Sequence, residues 1–101
     1  KMLTTNNKEL QLGDIKFGIP YEFSYKIYNV SEHDAVINTI VEGCKSCTKT
    51  TISKNIIPSG ASVDLNVVFT PGTLGKTLKG ISIIYNSDIE LKLTFRANIN
   101  E

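Results

Sequence analysis

Tryptophan is absent from this 101-residue sequence, and histidine and arginine occur once each, as His33 and Arg96. Each shortage closes off a class of function. A lone histidine with no well-placed serine and aspartate leaves no hydrolytic triad. Arginine's planar fork is the group best matched to phosphates and base edges, so one arginine argues against nucleic-acid binding. Charge of one sign is also lacking: Lys+Arg 11 against Asp+Glu 10 gives neither a basic footprint nor an acidic tail. No apolar run approaches the roughly 18 residues that would read as a membrane span, which argues against membrane insertion. A 3.6-residue hydrophobic period is missing as well, so no helix is expected.

What is present is ordinary globular composition, 41% hydrophobic and 21% charged, which excludes a disordered chain. The length suits one domain, taken as residues 1–101, with no linker, repeat or low-complexity stretch. Lys, Asn and Ile are abundant, as in products of AT-rich genomes. Met2 reads equally as a natural start and as part of a mature fragment whose leader has been removed, so the N-terminus settles nothing.

Period-2 alternation dominates the chain. Leu10, Leu12, Ile15 and Phe17 form a first segment interrupted by Gly13-Asp14. Tyr21, Phe23, Tyr25 and Ile27 share one face of a second strand. Ala35 to Val41 reads as a third, and the adjacent Ile40 and Val41 suggest a bulge near its end. A short polar arm runs from Thr48 to Ser53. Val63, Leu65, Val67 and Phe69 alternate strictly, as do Ile81, Ile83 and Tyr85, and then Ile89, Leu91, Leu93, Phe95, Ala97 and Ile99. About seven short strands with one polar face each predict an all-β, immunoglobulin-like antiparallel β-sandwich.

The order of signals then resembles a known group. Leu12-Gly13-Asp14-Ile15-Lys16-Phe17-Gly18 is followed by Tyr28-Asn29-Val30-Ser31 and by Gly43-Cys44-Lys45-Ser46-Cys47-Thr48. Ile57-Pro58-Ser59-Gly60, Val67-Val68-Phe69-Thr70-Pro71 and Leu93-Thr94-Phe95-Arg96-Ala97 complete the series. From about Glu9 to Ile99 this resembles the ASH / major-sperm-protein-like immunoglobulin folds, in particular a bacterial and phage branch with a Cys-x-Cys-Thr type turn. The resemblance implies a non-catalytic interaction or scaffolding module. Here two residues separate the cysteines where that branch has one, which puts a shared role of the thiols in doubt.

Cys44-Lys45-Ser46-Cys47 is the one motif able to carry chemistry. As a redox dithiol it lacks the helix N-terminus and βαβ setting that normally activate such a pair. As a metal site it supplies two ligands, and His33 at best a third, where about four are needed. A structural pair, either a local disulfide or two reduced thiols in a turn, is the reading favoured here. Gly72-Thr73-Leu74-Gly75-Lys76 lacks the second half of a phosphate loop, and Asp64 and Glu90 sit singly on polar strand faces. Asn29-Val30-Ser31 matches a glycosylation acceptor, a frequent chance match. No cofactor, metal or catalytic residue is expected, and the chain is not read as an enzyme.

Interaction is expected instead at strand edges and at Tyr28. Leu10 and Leu12 mark the first segment as one edge, and Thr50 and Ile52 mark the polar arm as another. Alternation places Tyr28 on a polar face, where a large ring invites a partner. The partners expected are other proteins, bound by edge pairing, with homo-oligomerisation a further option. The setting expected is a bacteriophage particle in an infected cell, as an accessory or structural protein, or a bacterial envelope of the Bacteroidetes type. The rival class is a small thiol–disulfide or metal-binding protein using Cys44 and Cys47.

Overall fold

A computed structural model describes residues 2–101 and leaves Lys1 outside the described residues. Nine strands follow one another among them. They are β1 (Leu3–Thr4), β2 (Glu9–Lys16), β3 (Tyr21–Asn29), β4 (Ala35–Glu42), β5 (Thr48–Ile52), β6 (Ile56–Ile57), β7 (Ser62–Phe69), β8 (Gly75–Tyr85) and β9 (Ile89–Asn100). One sheet has the order β1-β3-β7-β5 and the other β2-β9-β8-β4-β6. Together they make an immunoglobulin-like β-sandwich. Among the described residues no helix is long and apolar enough to cross a membrane.

All seven strands read from alternation are present, and the two additions, β1 and β6, are two residues long. Strands so short carry no periodicity to read. Alternation decides burial over most of its length: Val63, Leu65, Val67 and Phe69 of β7 face inward, and so do Leu91, Leu93, Phe95, Ala97 and Ile99 of β9, whereas Ile89 at the start of β9 is exposed where the hairpin leaves the core. The rings of Phe23 and Phe69 from one sheet meet Phe95 of the other at 4.9 and 5.1 Å, near edge-on. Each such pair adds about 1 kcal/mol beyond burial of area. Tyr25 spans the core and donates its hydroxyl to the Thr94 carbonyl at 2.6 Å. Its burial pushes the phenol's ionisation well above the ordinary tyrosine range.

Three details differ from the sequence reading. The pair β2–β9 is parallel, Glu9 facing Thr94 and Lys16 facing Asn100, while the remaining pairs are antiparallel. It joins the start of the chain to its end, and a pairing that distant leaves no local signal. The bulge in β4 falls between Ile37 and Thr39, ahead of Ile40 and Val41. Phe17 is about half exposed, because β2 stops at Lys16 and the chain turns at Gly18, where φ is 74°. The break at Gly13-Asp14 is where expected: the β2 register shifts between Gln11 and Asp14, and Gly13 takes a φ of 76°, a left-handed value that favours glycine.

Candidate interaction surfaces

The ends of the sandwich differ. At one end the buried side chain of Asn29 holds the loops together. Its Nδ2 donates to the carbonyls of His33 and Ile57, both at 2.8 Å. Its Oδ1 accepts from the Ser31 amide at 3.0 Å and the Ser31 hydroxyl at 2.7 Å. Its backbone closes two more bonds, donating to Ala61 O and accepting from Gly60 N. Every donor of the amide is spent inside the protein, so Asn29-Val30-Ser31 does not present a free glycosylation acceptor in the folded state. Asn29 is a structural residue, and sequence reasoning missed it because an asparagine in a turn usually faces water.

The other end gathers the β2–β3, β4–β5 and β7–β8 connections. Phe17 N donates to Asn100 O, Gly18 N to Pro71 O and Thr70 N to Cys47 O. These backbone bonds fix the loops but leave apolar side chains in water: Phe17 is 48% exposed, Ile19 59% and Leu74 53%. Here too the chain passes from the five-stranded sheet at β4 to the four-stranded sheet at β5. Gly43 begins the passage against the Gly80 carbonyl oxygen, which a Cβ would approach to 3.1 Å. The sulfurs of Cys44 and Cys47 lie 2.02 Å apart, bonded as a disulfide across this turn. Beside them is a recess of about 270 Å3 bounded by Phe69, Thr73, Thr77 and Ile99.

His33 sits in the loop before β4 and the cysteines in the loop after it, so the strand separates them. Among the described residues no group of three or more His, Cys, Asp or Glu side chains is placed to hold a metal ion.

The expected edge residues are differently disposed. β2 and β5 do form sheet edges. However, Leu10, Leu12 and Ile52 turn inward, half-buried against the core. Thr50 donates its hydroxyl to Glu42 Oε2 at 2.6 Å, bridging the sheets. These positions offer a partner their backbone more than their side chains. Tyr28 stands on the outer face of β3 but is half-buried, with Asn6 Nδ2 3.5 Å from its hydroxyl, so the loop after β1 already lies against it. On the outer face of the other sheet, Arg96 Nε donates to Glu9 Oε2 at 2.7 Å and holds that carboxyl below its ordinary range. Asn98 and Asn100 do the same for Asp14.

A family model described as a protein of unknown function (DUF1573) matches residues 3–99. The chain belongs to that family. Among solved structures, a protein of unknown function from Porphyromonas gingivalis W83 superposes with a TM-score of 0.81 at 16% identity. That match covers 96% of this chain and 46% of the other, so the DUF1573 chain spans less than half of that protein's length. The ASH / PapD-like domain 7 of human CEP192 gives a TM-score of 0.79 at 10% identity, covering 99% of this chain and 86% of that one. WR4, a Caenorhabditis elegans MSP family member, gives 0.61 at 6% identity, covering 98% of each chain. Identities this low carry the fold alone, and the fold is ASH/MSP-like. Among curated proteins no sequence matches the chain.

Proposed function

We propose that this DUF1573 domain is a non-catalytic protein-interaction module that docks through its disulfide end. The observation that carries this is the trio Phe17, Ile19 and Leu74, apolar and exposed on loops whose backbones are already held by hydrogen bonds. Fixed loops presenting apolar groups lose little conformational entropy on binding, which favours contact with a protein surface. Open strand edges at β2 and β5 add a second means of assembly, including assembly with copies of the same chain. The setting proposed is a phage particle or a bacterial envelope.

The test places a photo-cross-linking phenylalanine at Ile19, and separately at Asp64 on the polar face of β7, in cells that carry the gene. A discrete adduct from position 19 and none from position 64 is expected, with particle or envelope fractionation reporting the compartment. Equal labelling, or none at either position, overturns the reading.

A second reading rests on the sulfur pair beside its recess: a small thiol–disulfide protein. It requires Cys44 to exchange readily with an added dithiol and partner binding to disappear in the Cys44→Ser/Cys47→Ser variant. If purified protein carries stoichiometric zinc or iron, the two sulfurs act as ligands instead.

A further inference from the structure

The last long strand is paired along only part of its outer edge. β8 runs beside β9 without interruption from Gly75–Ile99 to Tyr85–Ile89. On the other side β2 begins only at Glu9, opposite Thr94, because β1 lies in the other sheet and the chain spends Thr5 to Lys8 crossing over. The stretch Ile89–Leu93 therefore has no strand partner on that side among the described residues.

Which backbone groups are left free follows from the antiparallel alternation. Thr94 N donates to Lys8 O, away from β8. Gly80, its partner on β8, uses its carbonyl to accept from Gly43 N, away from β9. Thr94 and Gly80 thus face each other without exchanging bonds. With no bulge between β8 and β9, the same holds for Lys92 and Glu90. Their amides and carbonyls point at the open side, in line with β2.

Directly inside this edge is a recess of about 730 Å3, with Met2, Leu3, Tyr85, Ile89 and Leu91 among its walls. Its mouth carries Lys8, Lys92 and Glu90. The Glu90 carboxylate accepts from the Ser82 hydroxyl and keeps its charge, so two lysines against one glutamate leave the mouth net positive. An open ladder, a recess walled largely by apolar side chains and a net positive mouth occur together here.

The geometry points to strand addition at this slot: an extended segment of a partner protein continues the line of β2 along Glu90–Lys92. It sets an apolar side chain into the Leu91 recess and carboxylates against Lys8 and Lys92. This deepens the interaction reading at a surface separate from the disulfide end. The competing view is that Lys8 and Lys92 merely guard an edge against pairing.

The probe is a fluorescein-labelled hexapeptide alternating isoleucine and aspartate, followed by fluorescence anisotropy with the full chain. A second peptide carries lysine for aspartate. Two variants complete the set. Lys92→Pro removes an amide that faces the open side, so the β8 ladder survives it. Lys92→Glu reverses the charge and keeps the backbone. Saturable binding of the acidic peptide is expected, at least tenfold weaker for the lysine peptide and for Lys92→Pro, and about threefold weaker for Lys92→Glu. The edge-guarding view predicts no binding by the wild-type chain, which overturns the proposal. Binding unchanged in Lys92→Glu overturns it too, even if Lys92→Pro fails to fold. A wild-type dimer that Lys92→Pro or Lys92→Glu converts to monomer makes the occupant a second copy and overturns the partner assignment. An adduct at position 19 together with a silent slot leaves the interaction module standing and removes this inference alone.

Discussion

At one end of the sandwich a buried asparagine ties its loops into a single hydrogen-bonded unit. At the other, loops pinned by backbone hydrogen bonds leave Phe17, Ile19 and Leu74 in solvent beside a disulfide. At the Asn29 end a polar side chain is taken out of water with each of its bonds remade, and this specifies structure. Apolar side chains stay in water at both ends, Val30 and Ile56 beside Asn29 as well as Phe17, Ile19 and Leu74 beside the disulfide, so what sets the ends apart is the buried polar anchor. At the disulfide end the exposed groups sit on loops whose backbones are pinned, which is the arrangement the proposed docking relies on.

Replacing the asparagine tests that contrast most strongly. Asn29→Ala strands the buried Ile57 carbonyl and the Ser31 amide while the His33 carbonyl keeps the Ser31 hydroxyl, and denaturant unfolding is expected to show a loss of about 3 kcal/mol. A loss below about 1 kcal/mol means that water replaces the side chain easily and the contrast is illusory. The Cys44→Ser/Cys47→Ser variant should lose less, at most about 2 kcal/mol, because closing so short a loop removes little chain entropy. A larger drop in a thermal melt makes the disulfide end structural too.

Phe17→Ser with Leu74→Ser should change stability by no more than about 1 kcal/mol in the same unfolding assay while abolishing the adduct formed from position 19. If stability falls as it does for Asn29→Ala, these side chains belong to the fold.

The smallest effect concerns pH. Glu9 and Asp14 both titrate below their ordinary values of 4.5 and 3.8, held there by Arg96 and by Asn98 with Asn100. A depressed folded-state value stabilises the fold above the ordinary value and is lost as pH falls through the depressed one. Melting temperature should therefore be flat above about pH 5 and begin to fall below 4.5, less steeply in Glu9→Gln. Both carboxyls are exposed, so solvent screens most of the effect. A steep decline already at pH 6 would place the acid-sensitive group elsewhere.

Much of the architecture was readable because burial follows parity in a strand. Val63-Leu65-Val67-Phe69 and Leu91 to Ile99 declared their inner faces, and Gly13-Asp14 declared the bulge in β2. Parity says nothing about where a strand stops, so Phe17, in alternation with Ile15, lies just past the end of β2 and is half exposed. It also says nothing about which way an edge residue faces once the strand is placed. Leu10, Leu12 and Ile52 mark true edges yet point their side chains inward.

The sequence by itself determined the class of fold, the polar and apolar faces of the long strands, and the sulfur pair as the sole reactive motif. These depend on neighbours two or three residues apart. Tertiary structure alone decided the parallel union of β2 with β9, the burial of Asn29 and the unpaired stretch at Glu90–Lys92. Each arises where residues distant in the chain meet, and the entropy of closing such loops is offset only once the whole sandwich has formed.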